Sequence, residues 1–283
     1  MSSNKKIRYI GKIKIVNDEY VLKKKKKDIN YLYQRLESND FYNFPELIDE
    51  DDIFYKYKFI EEIRKVNIED TLELLGILHS KTSEEKLINK ERYEEVYLKL
   101  NENLLYLKKY YEDFISKIEL KDYFSPSEYL FIRNVSKLLG TLKFCEDEIN
   151  KWKKLTENKN YERVSIIHNN PSLKHSLIGK EKVLINFDDY KIDSPVIDLY
   201  KFYKNEGFNF EVLNKLDVYE KHYKFSEEEY ALFRILITLP RKITLNKTEF
   251  ENVKNVQNFV ENLYKTEEFV TKKVVKEEAK NEL

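Results

Sequence analysis

The stretch that decides the fold runs VSIIHNNPSLKH over residues 164–175, then VLINFDDY over 183–190, then SPVIDLYKF over 194–202. An apolar run, Val164 to Ile167, leads into His168, and a polar loop follows from Asn169 to His175. Leu177-Ile178, a Gly179-Lys180 turn and Val183-Leu184-Ile185 have the spacing of a short hairpin. Asn186, Phe187, Asp188 and Asp189 sit where that hairpin runs out. A polar loop and a strand end held side by side bring several hydrogen-bonding side chains to one place.

Ahead of this stretch the chain alternates and turns. Ile7–Ile10, Ile13–Val16 and Tyr20–Lys23 read as strands, with a turn signal at Asn17-Asp18. Five lysines run from 23 to 27. In an alternating strand Lys23, Lys25 and Lys27 share a face. Ile29, Leu32, Tyr33 and Leu36 recur at helical spacing behind Asp28, an N-cap residue type. Residues 44–48 and 52–60 read as two more strands with a turn at Asp49 to Asp51. Ile68 to His79 follows as a helix, with His79 read as a buried, hydrogen-bonded structural histidine.

Residues 84–158 read as helical, with one stripe at Leu98, Leu105, Tyr106, Tyr110 and Phe114 and a second at Phe131, Val135, Leu138, Leu139, Leu142 and Cys145. Ser125-Pro126 is a helix start. Leu213–Phe225 and Ser226–Leu239 read as further helices, the latter opened by a capping box and stopped by Pro240. Phe250–Tyr264 reads as a final packed helix, and Lys265–Leu283 as a charged, solvated tail.

Lys+Arg and Asp+Glu both number 51, so the formal charge is zero and a global basic field for nucleic acid is absent. Nucleic acid is therefore not an expected partner. One cysteine, Cys145, rules out an intramolecular disulfide and a thiol-rich zinc site. No apolar run approaches the roughly 20 residues that span a bilayer, so no membrane partner is expected. Met1 to Lys6 carries no apolar leader segment, and the expectation is a chain that stays in the cytoplasm that made it or joins an assembly there.

The central stretch resembles the aminoglycoside-phosphotransferase-like kinases, and within them is most similar to the CotS family of spore-coat proteins. Their pattern is His-Gly-Asp, four residues, Asn, a hairpin, Ile-Asp-Phe/Trp-Asp and a later Asp-Leu. The spacing here is matched by His168, positions 170 and 175, Ile185 to Asp188, and Asp198-Leu199. The letters depart at three positions: Asn170 stands at the catalytic Asp, His175 at the metal-binding Asn, and Asn186 at the metal-binding Asp.

The resemblance implies an α+β, bilobal protein-kinase-like fold. It implies a small antiparallel-sheet N-terminal lobe with one helix over 1–62, a larger mainly helical C-terminal lobe over 63–264 with a hinge at 61–64, and the tail over 265–283. By the same resemblance Lys23 is the nucleotide-binding lysine, Asp28 the nearest match to its acidic helix partner, and His168 and Asp198 brace the loop. No catalytic residue is expected intact, because an asparagine at 170 has no basic oxygen to serve as a general base. The implied function is a catalytically inactive structural or binding component of the spore coat. Its expected partners are other coat proteins, with self-association left open, and its expected route is synthesis in the mother-cell cytoplasm followed by deposition in the coat. No cofactor is required on this reading. The alternative is an atypical phosphotransferase using ATP and Mg²⁺ on a small molecule or coat component, with Asp188 as metal ligand. A zinc site from His168, His175 and Asp188 is a weaker reading.

Overall fold

The computed structural model describes residues 6–11, 13–89 and 91–281, with side chains described up to residue 272. In chain order the elements begin β1 (Ile7–Ile10), β2 (Ile13–Val16), β3 (Tyr20–Lys24), α1 (Asn30–Ser38), β4 (Leu47–Glu50), β5 (Phe54–Lys58), α2 (Ile68–Thr82) and β6 (Glu84–Leu87). Then come α3 (Glu91–Glu119), α4 (Pro126–Ile132), α5 (Val135–Thr156), β7 (Tyr161–Ile167), β8 (Ser176–Ile178), β9 (Lys182–Leu184) and β10 (Lys191–Asp193). The chain ends with α6 (Val196–Asn205), α7 (Glu211–Asn214), α8 (Leu216–Glu220), α9 (Glu227–Thr238) and α10 (Glu249–Asn281).

The chain divides into two compact units, Met1–Glu85 with Arg163–Lys224, and Lys86–Glu162 with Phe225–Leu283. The sheet and helix expected as a separate lobe over 1–62 thus fall in one unit with the central loop. Local ties explain this. The Ile63 amide donates to the Ile178 carbonyl at 2.9 Å, and the Leu184 amide donates to the Asn43 carbonyl at 2.8 Å. A Cβ at Gly179 would come within 2.7 Å of Ile60 Cγ2 and 3.0 Å of the Glu61 carbonyl, so only glycine lets the β8–β9 turn approach this segment.

In the first unit the five-stranded sheet has the order β1-β2-β3-β5-β4, antiparallel throughout, with Lys23 opposite Tyr55. The β4–β5 turn lies later than expected. Asp51 Oδ1 accepts from the Ile53 and Phe54 amides at 2.7 and 2.6 Å, which holds the turn at the residues after Asp51. Strand β3 ends at Lys24, so the alternation that would keep Lys23, Lys25 and Lys27 on one face stops there. Helix α1 buries Leu32, Tyr33 and Leu36, three of the four residues whose spacing marked it, and Ile29 just ahead of it is buried as well. Helix α2 starts on a capping box in which Asn67 accepts from the Asp70 amide and Asp70 accepts from the Asn67 amide. Strands β8 and β9 pair in the expected hairpin, Ser176 opposite Leu184. The single helix expected over 213–225 is instead the two short helices α7 and α8, which end at Glu220.

The second unit is helical. Its core joins Leu104, Tyr111, Leu142, Trp152, Ile235 and Phe259. The buried face of α3 is Leu100, Leu104, Leu107, Tyr111 and Ile118, while Leu98, Leu105 and Tyr106 of the expected stripe are exposed. Apolar residues occur all round this 29-residue helix, so spacing alone admits two faces one position apart. The second stripe fares better: Phe131, Leu138, Leu142 and Cys145 are buried, and Leu139 is exposed. Residues 84–87, expected as helix, form β6. Capping boxes at Ser125–Glu128 and Ser226–Glu229 open α4 and α9. Helix α10 does not stop at Tyr264: Thr266, Phe269 and Val270 are buried and carry its apolar face past the expected boundary.

Candidate functional site

Strand β7, paired with β10 outside the five-stranded sheet and buried from Val164 to Ile167, delivers His168 to a point where the chain turns through Asn169 in the left-handed region, φ 64°. Beneath the loop lies Asp198, near the start of α6 and fully buried. Its Oδ2 accepts from the His168 amide at 2.6 Å and its Oδ1 from the Asn169 amide at 2.6 Å. His79 Nε2 stands 3.1 Å from Oδ2, and His79 Nδ1 meets the Tyr219 hydroxyl at 2.9 Å. One carboxylate therefore satisfies the two amides at the loop entrance and a buried imidazole, which is costly to undo inside a protein. His168 Nε2 donates to the Ile185 carbonyl at 2.8 Å, and the Asn170 amide approaches its Nδ1 at 3.3 Å. Burial holds the His168 imidazole below its usual pKa, against the opposing pull of Asp198. The loop and the strand end are thus locked together through His168 and Asp198.

Residue 186 also has a positive φ, 67°, a conformation asparagine tolerates better than most residues. It turns the chain from β9 into a short 3-10 turn, Phe187–Asp189. Lys23 Nζ, reaching from β3, donates to Asn186 Oδ1 and to Asp188 Oδ1, both at 2.7 Å. An ammonium only donates, so the Asn186 carbonyl oxygen faces Lys23 and its amide nitrogen faces His175 Nε2 at 3.1 Å. The Asn186 amide therefore donates to His175 Nε2, and the His175 proton sits on Nδ1, which donates to the Asn170 carbonyl at 2.7 Å. The orientations of the Asn186 amide and the His175 ring follow from one lysine.

Asp188 is the charged centre of the site, its side chain 9% exposed. Burial pushes its carboxyl up, but the ammoniums of Lys23 and Lys26 outweigh burial and hold it below its ordinary value. Lys26 Nζ lies 3.2 Å from Asp188 Oδ2, within ion-pair range but outside hydrogen-bond geometry, so that oxygen has no hydrogen-bond partner. Asp28 is not brought to Lys23. Its Oδ1 accepts from the Asn30 amide at 2.9 Å and supports the start of α1, the plain role its position allows.

Four further polar residues enter the site. Lys201 Nζ donates to the Asn169 carbonyl at 2.9 Å, and Asn205 Nδ2 donates to Asn170 Oδ1 at 3.2 Å and to the Pro171 carbonyl at 2.9 Å. Lys27 Nζ sits 3.8 Å over the Tyr190 ring. Lys201 and Asn205 stand three and seven residues after Asp198 on α6, one helical face, and that spacing is a signal the sequence carried. Lys27 and Tyr190 carried none, because they meet only after folding.

The donor set does not fit Mg²⁺. It offers two carboxylates, Asp188, both of whose oxygens face lysines, and the exposed Asp189, with amide oxygens already accepting from Lys23 and Asn205. Among the described residues no group of three or more His, Cys, Asp or Glu is placed to hold a metal. Cys145, in the second unit, is buried and its thiol is pushed up to about 12 by burial, so it is not a nucleophile.

No protein-family profile matches the chain, and no curated protein does. Solved structures do. An aminoglycoside phosphotransferase from Alicyclobacillus acidocaldarius is similar over 94% of this chain and 90% of its own, at 10% identity and TM-score 0.62. The chain has a kinase-like fold. A glucosamine kinase is similar over 95% of this chain and 76% of its own, at 9% identity and TM-score 0.54. At such identities the likeness concerns the fold: an antiparallel sheet in the N-terminal part and helices in the C-terminal part, as the resemblance implied.

Proposed function

We propose that this kinase-fold protein does not transfer phosphate and works as a structural or binding component, in the spore coat by its resemblance to the CotS family. The observation that carries the reading is the side-chain chain Lys23–Asn186–His175, which ends on the Asn170 backbone carbonyl. Lys23, Asn186 and His175 hydrogen-bond in series, and position 170 presents an amide in place of a carboxylate that accepts a hydroxyl proton. The Asp198 brace supports a kept loop geometry, and the residue types at 170, 175 and 186 support a reading without phosphoryl transfer. Other coat proteins are the proposed partners and the spore coat the proposed destination. Nucleotide and metal are not required for this role.

The test is phosphoryl transfer from ATP with Mg²⁺ to coat extract, using the parent chain and Asn170→Asp with Asn186→Asp. The expected result is no transfer by the parent. Transfer by the parent that Asp188→Asn abolishes would overturn the proposal. It would favour the second reading, an atypical ATP-dependent phosphotransferase in which the Asp188 oxygen that lacks a hydrogen bond takes the metal.

A further inference from the structure

The chain has no net charge, yet lysines converge on one open cavity of about 540 Å³ in the first unit. Lys27, Lys191 and Lys201 line it, with Asn170, Asp188 and Asp189. Asp188 is already engaged by Lys23 and Lys26. Lys201 bonds only the neutral oxygens of Asn169. Lys27 faces the Tyr190 ring, and among the described residues neither Lys27 nor Lys191 has a carboxylate partner. Three lysines line the cavity against two aspartates, an excess of one positive charge (3 − 2), and Lys23 and Lys26 already neutralise Asp188 from beside it. Such clustering repels itself and is relieved by a bound anion.

The substituted motif position points the same way. Asn170 accepts from Asn205 through Oδ1, which leaves its Nδ2 as a donor on the cavity wall. A carboxylate at 170 would repel an anion; an amide donates to one. Several ammoniums and an amide around one cavity suit an oxyanion with several acceptor oxygens, and the volume lies in the range of small-molecule sites, roughly 300–1,000 Å³.

We propose that this cavity binds a phosphate-bearing small molecule directly, with no divalent cation between the phosphate and the protein. The proposal rests on the reading above that the site has lost its metal chemistry. It assigns binding roles to Lys27, Lys191 and Asn170.

The experiment is calorimetric titration of the full chain with pyrophosphate, ADP and a sugar phosphate, each in chelator and in excess Mg²⁺. Saturable binding in chelator is expected, weakened by Mg²⁺, which neutralises the ligand. Lys27→Ala with Lys191→Ala, both at exposed positions, is expected to weaken pyrophosphate by about tenfold or more. Asn170→Asp is expected to weaken it as well. Tighter ADP would assign the phosphate to a nucleotide and a tighter sugar phosphate to a sugar; either supports the proposal. Absence of binding in chelator, or affinity unchanged by the lysine variant, overturns it. If ATP turnover is absent too, that failure leaves the proposed function standing. Binding that requires Mg²⁺ and comes with turnover overturns both.

Discussion

Asp198 and Asp188 lie ten residues apart, both largely shielded from water, and they use their charge in opposite ways. Asp198 accepts from two backbone amides and sits against His79, so its negative charge is consumed in fixing the loop. Asp188 meets only flexible lysine ammoniums, Lys23 at 2.7 Å and Lys26 at 3.2 Å. The first arrangement is architecture, because amides cannot leave without unfolding the loop. The second is exchangeable, because a lysine can trade one anion for another. The loop's geometry is therefore held by Asp198 independently of the side chains displayed on it.

The sharpest way to break this comparison is Asp198→Ala. It strands two buried amides and His79, and should lower stability by about 3–5 kcal/mol in urea denaturation. Lys23→Met leaves Asp188 with Lys26 alone and should cost about 1–3 kcal/mol. If the two losses were equal, the distinction between brace and display would fail. Acid separates the regions further. His168 is held below its usual value, so under about pH 6.5 the unfolded chain takes up a proton that the folded chain refuses. Stability is then full above that pH and falls as pH drops, by at most about 1.4 kcal/mol per unit. Asp188 is depressed as well, so its contribution is present above about pH 3.9 and is lost only as pH falls further. Denaturation at pH 7.5, 6.5 and 5.5 should show the His168 slope, and Lys23→Met should leave that slope unchanged. The smallest effect belongs to Lys26→Ala. Its side chain is 67% exposed, and its removal should change stability by no more than about 0.5 kcal/mol.

Where recognition depended on local chemistry, reading the chain succeeded. The Ser226–Glu229 capping box, the stop at Pro240 and the 176–184 hairpin are set by residues within a few positions of one another. The five-stranded sheet followed from alternation and turn residues. The buried face of α3 did not, because a long helix with apolar residues on every side lets its neighbours choose the face. Nor did the end of α10, where lysines and glutamates mask a buried face at Thr266, Phe269 and Val270.

By itself the sequence determined the spacing from His168 to Asp198, the elements that carry it, and the absence of a carboxylate at 170 and 186. These are matters of residue type and local conformation. Tertiary structure alone decided that Lys23 takes Asn186 and Asp188 rather than Asp28, that His175 and Asn186 orient each other, and that three lysines of an uncharged chain line one cavity. Those partners stand up to 165 residues apart. Ion pairs carry no local signal of their choice, because one ammonium accepts any carboxylate that the packed backbone brings within reach.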